Sequence, residues 1–240
     1  KVLLPREKDH LYSVEHDEDR LLILTNWEAK NFRLMYTTLA QSKDKSKWVE
    51  LIPHRKNVLL QSFLAYPSNI VLLERENGLR NLRILDRKGK SERIVGFSDP
   101  SYTTYFAANP EYNAGKFYYG YSSMRTPDSI YSFNLKNGRK TLLKRAEVLG
   151  VFSPSVYKVE RIEIKARDGT LVPVSLVYRR DKFKKGENPL FIYGYGSYGY
   201  SVEATFSSNR ISLLDRGFVF AIAHIRGGQE LGRSWYEDGK

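Results

Sequence analysis

The sequence predicts a chain in two parts: antiparallel sheets arranged as propeller-like blades over residues 1–152, then the opening of an α/β sheet over residues 153–240. Three observations carry this reading. A strand–turn–strand unit recurs three times in the first part. After Pro154 the pattern changes to hairpin, strand, helix and strand. Between the hairpin and the helix lies Pro189-Leu-Phe-Ile-Tyr-Gly-Tyr-Gly-Ser-Tyr-Gly199, an apolar run that reads as a buried strand and breaks into three closely spaced glycines.

The repeats come first in chain order. Asp19 to Asn26 leads through Glu28-Ala-Lys to Asn31-Phe-Arg-Leu-Met-Tyr36, and Asn69 to Arg75 leads through Asn77-Gly-Leu-Arg to Asn81-Leu-Arg-Ile-Leu85. The third unit runs from Lys116 to Ser122 and returns at Ser129 to Asn134. Asn31, Asn81 and Ser129 are separated by about 50 residues, the spacing of blades built from four short strands. An ordinary antiparallel sandwich is the competing architecture. Three blades do not close a propeller, because the open edges would expose unpaired strand backbone, so the sequence reads as incomplete, an impression that the stop at Glu237-Asp-Gly-Lys240 reinforces.

In the second part, Arg161-Ile-Glu-Ile-Lys165 alternates, Arg167-Asp-Gly-Thr170 supplies a tight turn, and Leu171 to Tyr178 returns as the partner strand. A strand is predicted at Leu190. Ser207 to Gly217 reads as a short helix with a serine N-cap and a glycine stop. Phe218-Val-Phe-Ala-Ile-Ala-His-Ile225 is continuously apolar and predicts a central strand buried on both faces, with His224 as a satisfied core histidine.

Gly194-x-Gly196-x-x-Gly199 matches the spacing of a dinucleotide fingerprint, and it follows a predicted strand. That fingerprint also needs a helix opening at the third glycine and an acid closing the next strand. Tyr200 to Phe206 has no helical periodicity, and the next strand ends in Arg226-Gly-Gly rather than in Asp or Glu, so nucleotide binding is not expected.

Composition narrows the function classes. The net charge of +12 is spread out, +8 over residues 1–152 and +4 over residues 153–240. The densest basic clusters, Lys43 to Lys47, Arg87 to Arg93 and Arg179 to Lys185, sit beside turn residues and read as solvated loops, so no nucleic-acid partner is expected. The absence of cysteine removes disulfides and thiolate metal sites, and no metal or other cofactor is expected. No apolar run approaches the roughly 18 residues of a membrane helix, and the first residues lack a signal peptide's apolar core. No membrane partner and a cytoplasmic address are the expectations.

Three long stretches carry a resemblance to a known family: Ala166 to Tyr178, Tyr193-Gly-Tyr-Gly-Ser-Tyr-Gly199, and Ser212 through Arg226-Gly-Gly228. With Val14-Glu-His16, Asn31-Phe-Arg-Leu34, Tyr121-Ser-Ser-Met124 and Pro154-Ser-Val-Tyr157, they make the chain resemble the oligopeptidase B branch of the prolyl oligopeptidase family of serine peptidases. The resemblance implies the last blades of a seven-bladed β-propeller at 1–152 and the start of an α/β-hydrolase domain at 153–240. It implies a serine endopeptidase that cuts short peptides after Arg or Lys through an acyl-enzyme. The triad itself lies outside this sequence. No serine has glycine at both −2 and +2, as a nucleophile elbow requires, since Ser234 has only Gly232 and Ser122 only Gly120.

What the resemblance leaves in the chain is Tyr195, in the position of the tyrosine that donates its hydroxyl to the developing oxyanion. A phenol with a pKa of about 10 stays protonated at neutral pH and can donate. Tyr198 stands where the family builds a wall of the substrate pocket. Arg226-Gly-Gly-Gln-Glu230 departs from the family, which has Gly or Ser where Gln229 stands. Short basic peptides are the implied substrates, and the +12 charge would repel them, so their recognition must be local. Without its triad the 240-residue stretch alone is expected to be inactive, and a non-enzymatic propeller-containing binding module is the alternative.

Overall fold

The three sequence repeats are the central hairpins of three four-stranded antiparallel sheets. In a computed structural model of the chain, residues 2–90 and 92–239 are described. Lys1 at the start of the first predicted part, Ser91 within the basic cluster 87–93, and Lys240 at the end of the second predicted part lie outside the described residues. The first sheet holds β1 (Tyr12–Asp17), β2 (Arg20–Thr25), β3 (Arg33–Thr38) and β4 (Val49–Ile52). The second holds β5 (Val58–Ala65), β6 (Asn69–Glu76), β7 (Leu79–Asp86) and β8 (Glu92–Ile94). The third holds β9 (Tyr102–Phe106), β10 (Lys116–Ser123), β11 (Ser129–Asn134) and β12 (Lys140–Arg145). Each is a meander in chain order, which is the construction of a propeller blade.

The middle blade explains why its strands read as unbroken apolar runs. Successive side chains of a strand point to opposite faces. Ile70 and Leu72 of β6 and Leu85 of β7 pack against Leu22, Leu24 and Leu34 of the first blade. Val71 and Leu73, with Leu82 and Ile84, pack against Phe117, Tyr119 and Phe133 of the third. Both faces are therefore core. The outward face of the first blade carries a smaller cluster of Leu4, Ile23, Met35 and Trp48, with Trp27 packed edge-on to Trp48 at 5.9 Å.

Buried ion pairs fasten the blades at one edge. Asp17 accepts from Arg20 Nε at 2.7 Å, Arg87 Nη2 at 2.9 Å and the Tyr112 hydroxyl at 2.8 Å, joining all three blades. Arg87 is thus no solvated loop residue. Nor is Arg93, which donates to the Leu135 carbonyl, while Arg179 pairs with Asp181 and Asp215. The expectation of plain solvated clusters fails at Arg87 and Arg93, where an acid and a carbonyl distant in sequence meet the guanidinium groups, whereas the Arg179 pairs are solvent-exposed.

The fourth sheet is mixed, in the order β13 (Tyr157–Lys165), β14 (Leu171–Arg179), β16 (Val219–Ala223), β15 (Leu190–Tyr193). The turn from β13 to β14 forms as expected, with Asp168 accepting from the Thr170 N–H. Strands β15 and β16 are parallel and joined through helix α1 (Ser208–Asp215), and a second short helix, α2 (Arg233–Glu237), follows. Helix α1 lays Leu214 against Val159, Val177 and Ile222, and the Tyr157 hydroxyl donates to Asp215 at the helix end.

Three expectations are corrected here. Strand β15 is not buried within these 240 residues: Leu190, Phe191, Ile192 and Tyr193 are all exposed, because β15 lies at the edge of the sheet they form and no element among the described residues covers either of its faces. Strand β16 is central, but only one face is covered by α1; the other opens on an apolar groove lined by Ile164, Val172, Val174, Ile192, Val219 and Ala221. Ser207 precedes α1 without a side-chain capping bond, and the Arg210 N–H bonds the Ser207 carbonyl instead.

The hairpin tips of the blades carry the contacts to the fourth sheet. At the third tip, Asp99 is buried and accepts from Tyr121, Ser123 and Thr126 hydroxyls and from Arg125 Nε at 2.7 Å, while Arg125 Nη1 reaches the Tyr157 carbonyl. Burial pushes the Asp99 carboxyl up, but hydrogen bonds from Ser123 and Tyr121 and the Arg125 charge outweigh it and hold the group below the ordinary aspartate value. A carboxyl depressed in the folded state adds stability above its unfolded pKa of about 3.9, and that stability is lost as pH falls through the folded value. Asp99→Asn is expected to cost about 1.5–3 kcal/mol at pH 7, the worth of hydrogen bonds to a charged group, and progressively less below about pH 4. Denaturant unfolding of both proteins at pH 7 and in acid checks this; a pH-independent difference refutes it.

Candidate active site

The glycine stretch and the Arg226-Gly-Gly segment are built against each other. Leaving β15, the chain turns at Ser197 to Tyr200, with the Tyr200 N–H bonded to the Ser197 carbonyl at 3.0 Å. The Gly199 N–H bonds the Gly227 carbonyl at 2.8 Å, and Gln229 Nε2 donates to the Gly199 carbonyl at 3.0 Å. Two glycines are obligatory. A Cβ on Gly227 (φ +95°) would stand 1.9 Å from the Gly196 carbonyl oxygen, and one on Gly196 (φ +63°) would stand 2.6 Å from the Arg226 carbonyl oxygen. Backbone packs directly on backbone there. No helix opens at Gly199, and α1 begins only at Ser208, so the glycines do not lead into a helix N-terminus as a dinucleotide fingerprint would.

This pairing holds up a row of exposed tyrosines. Tyr195 is 47% exposed, and its ring meets the edge of Tyr200 at 5.8 Å and 83°. Among the described residues its hydroxyl meets no partner, which leaves the proton available to a ligand oxygen. Tyr198 is 84% exposed and sits at φ +55°, a left-handed conformation uncommon for a non-glycine residue. The turn just described and the Gly199–Gly227 bond hold it there. Tyr195 and Tyr198 therefore share one short loop but point from different backbone conformations.

Beneath the loop, His224 is buried as predicted. Its Nε2 lies 2.7 Å from Ser175 Oγ, which in turn meets Ser101 Oγ of the third blade, so a chain of hydroxyls crosses between blade and mixed sheet. The histidine is only half satisfied: Nδ1 has no hydrogen-bond partner and lies 3.8 Å from buried Glu230. Glu230 Oε1 accepts from the Val202 N–H at 2.9 Å, Trp235 Nε1 donates to the His224 carbonyl, and the Gly227 N–H bonds the Trp235 carbonyl. No local pattern signals the Glu230 or Gln229 contacts, which depend on two loops about 30 residues apart in sequence meeting in space. Among the described residues no cluster of His, Asp or Glu could hold a metal ion.

Propeller blades running into a mixed sheet whose parallel strand ends in a glycine-bound tyrosine loop define the propeller-plus-hydrolase class of protein. The model of the prolyl oligopeptidase N-terminal β-propeller domain matches residues 1–146, and that of the prolyl oligopeptidase family matches residues 204–240. The chain belongs to the prolyl oligopeptidase family. It is 42% identical, over its whole length, to dipeptidyl aminopeptidase BI of Pseudoxanthomonas mexicana, covering 33% of that protein. It is similar in structure to oligopeptidase B of Leishmania major (TM-score 0.89, 36% identity, 98% of this chain and 34% of that one). Oligopeptidase B of Trypanosoma brucei with covalently bound antipain gives a TM-score of 0.90 at 34% identity, again over 98% of this chain and 34% of that one. The chain thus spans about a third of the length of these relatives.

The glycine contact generates a direct test. Gly227→Ala is expected to cost about 1–3 kcal/mol through strain and overlap with Gly196. Gly150 is also at positive φ (+86°), but a methyl group added there would meet nothing within 4 Å, so it is the control and should cost less on substitution by alanine. Thermal melts of the two variants decide; equal losses would show that the Gly196 contact contributes nothing.

Proposed function

We propose that the full-length protein is a serine endopeptidase that hydrolyses short peptides after Arg or Lys, and that this chain supplies its oxyanion donor. The domain division is placed at 152/153, with the nucleophilic serine, aspartate and histidine outside the 240 residues. In the acylation step the serine oxygen attacks the scissile carbonyl carbon, histidine takes the hydroxyl proton, and the carbonyl oxygen becomes an oxyanion. Tyr195 donates its hydroxyl to that oxygen. Collapse of the tetrahedral intermediate expels the amine, protonated by the histidine, and water then releases the acyl group. The observation that carries the reading is the exposed Tyr195 hydroxyl, free of partners among the described residues, on a loop fixed by backbone contact. A preorganised donor of this kind strengthens its bond as charge develops.

Tyr198 is assigned to the wall of the substrate pocket, supported by its exposure and its constrained backbone. Short basic peptides are the proposed substrates, no cofactor takes part, and the proposed address is cytoplasmic. No helix among the described residues is long and apolar enough to cross a membrane. The 42% identity to a protein named as a dipeptidyl aminopeptidase favours a second reading, removal of dipeptides from a free N-terminus. Mass analysis of products from a peptide with an internal arginine separates the two, since internal cleavage leaves fragments longer than dipeptides on both sides. A propeller-containing binding module would give no cleavage at all.

Tyr195→Phe in the full-length protein is expected to lower kcat by roughly 10²–10³ with little change in KM, the usual loss for one oxyanion donor. Phenylalanine keeps the ring against Tyr200, so a purely structural tyrosine would leave kcat within about threefold and move only the melting temperature. The 240-residue polypeptide by itself is expected to show no turnover of a fluorogenic Arg-Arg peptide, because an oxyanion donor without its nucleophile and base has no acyl transfer to stabilise. Turnover blocked by a serine-directed inhibitor would refute this.

A further inference from the structure

Where the second blade meets the mixed sheet, two guanidinium groups pair with one carboxylate and a third lies over the adjacent turn. Arg75 of β6 is 2% exposed; its Nη1 donates to the Gly78 carbonyl at 3.2 Å and its Nη2 to Glu203. Arg161 of β13 lies over the same turn, Nη2 donating to the Asn77 carbonyl. Arg80 of β7 reaches Glu203 Oε1 at 3.3 Å and Gln61 Oε1 at 3.2 Å, both through Nε. Glu203 is the one carboxylate paired with this group among the described residues.

The donors outnumber their acceptors. Arg75 Nε and Arg161 Nη1 are buried without a hydrogen-bond partner. The two Nη groups of Arg80 meet no acceptor among the described residues, and its side chain keeps 26% of its surface open to solvent. Burial pulls Arg80 below the ordinary arginine value, with Glu203 opposing and Arg75 reinforcing the fall; burial does the same to Arg161, where the Glu163 charge opposes and the Arg75 charge reinforces it. Buried cations in excess are costly unless an anion joins them. The chain's net charge of +12 draws anions in the same direction.

We propose that Arg80, backed by Arg75 and Arg161, binds a carboxylate of the peptide substrate through its free fork of Nη donors. This rests on the peptidase reading above. The ligand is a carboxylate because a guanidinium fork matches its planar, two-oxygen geometry. Every unblocked peptide brings one at its C-terminus whatever its sequence. Position supports the assignment. Arg80 pairs with Glu203, three residues beyond Tyr200, and the Tyr200 ring meets Tyr195, so the fork is tied to the strip of chain that carries the proposed oxyanion donor. A basic peptide would then be held at two points, its cationic side chain in the specificity pocket and its anionic end on the arginines, which reconciles such a substrate with the positive charge of this chain.

The test uses the full-length protein and one short peptide with a single arginine, made as the C-terminal acid and as the C-terminal amide. KM for the acid is expected to be about tenfold below that for the amide, the scale of one accessible charge-assisted contact. In Arg80→Gln the ratio should collapse to about one, and Arg80→Lys should restore part of it. A parent enzyme without the preference, or an undiminished ratio in Arg80→Gln, overturns the inference. If Arg80→Gln does not fold, judged by its circular dichroism melt, Arg161→Gln is read by the same ratio and the same criterion. Should the parent cut neither peptide, the peptidase reading falls by itself. Calorimetric titration with the two peptides then still scores the carboxylate site: about tenfold tighter binding of the acid supports it, and equal binding removes it.

Discussion

Burial of the middle blade on both faces is the constraint on which the arrangement depends. Ile70 and Leu72 belong to one interface and Val71 and Leu73 to the next, so no residue of that run can be moved by one position without turning an entire set of side chains to the wrong neighbour. The register fixed in this way aims the three hairpin tips at the mixed sheet. Asn31 at the first tip accepts from the Arg233 N–H, Arg75 at the second reaches Glu203, and Ser122 at the third accepts from the Phe206 N–H. Blade packing and docking are one problem solved by the same strands.

The parts of the fold legible in the sequence are those whose information is local. The central hairpins stand out because apolar strands flank Asn-Gly, Glu-Ala-Lys or Pro-Asp turns, and β15, α1 and β16 follow from run length, a serine start and a glycine stop. The outermost strands were invisible: β12 is Lys-Thr-Leu-Leu-Lys-Arg with every residue exposed, which reads as loop until its hydrogen bonds to β11 are seen. The order of strands was equally hidden. Leu-Phe-Ile is the composition of a buried strand, and only the observed topology makes β15 an edge.

The site divides along the same line. Glycines announce themselves, and their close approach was legible in kind, though the partner of Gly196 proved to be the carbonyl side of another glycine segment. Gln229 bonds the Gly199 carbonyl, so its side chain braces the tyrosine loop. The ion pairs were the least legible of all. Asp17 and Arg20 are three residues apart and could have been guessed, but Arg87 and Tyr112 reach the same carboxylate from other blades.

The placement of the tryptophans gives the chain two separate optical addresses. Trp27 and Trp48 sit edge to face on the outer side of the first blade, whereas Trp235 is buried under the tyrosine loop with its indole N–H on the His224 carbonyl. Light absorbed and emitted by these rings therefore reports on the blade of β1–β4 and on the loop's foundation, and no tryptophan lies in the second or third blade.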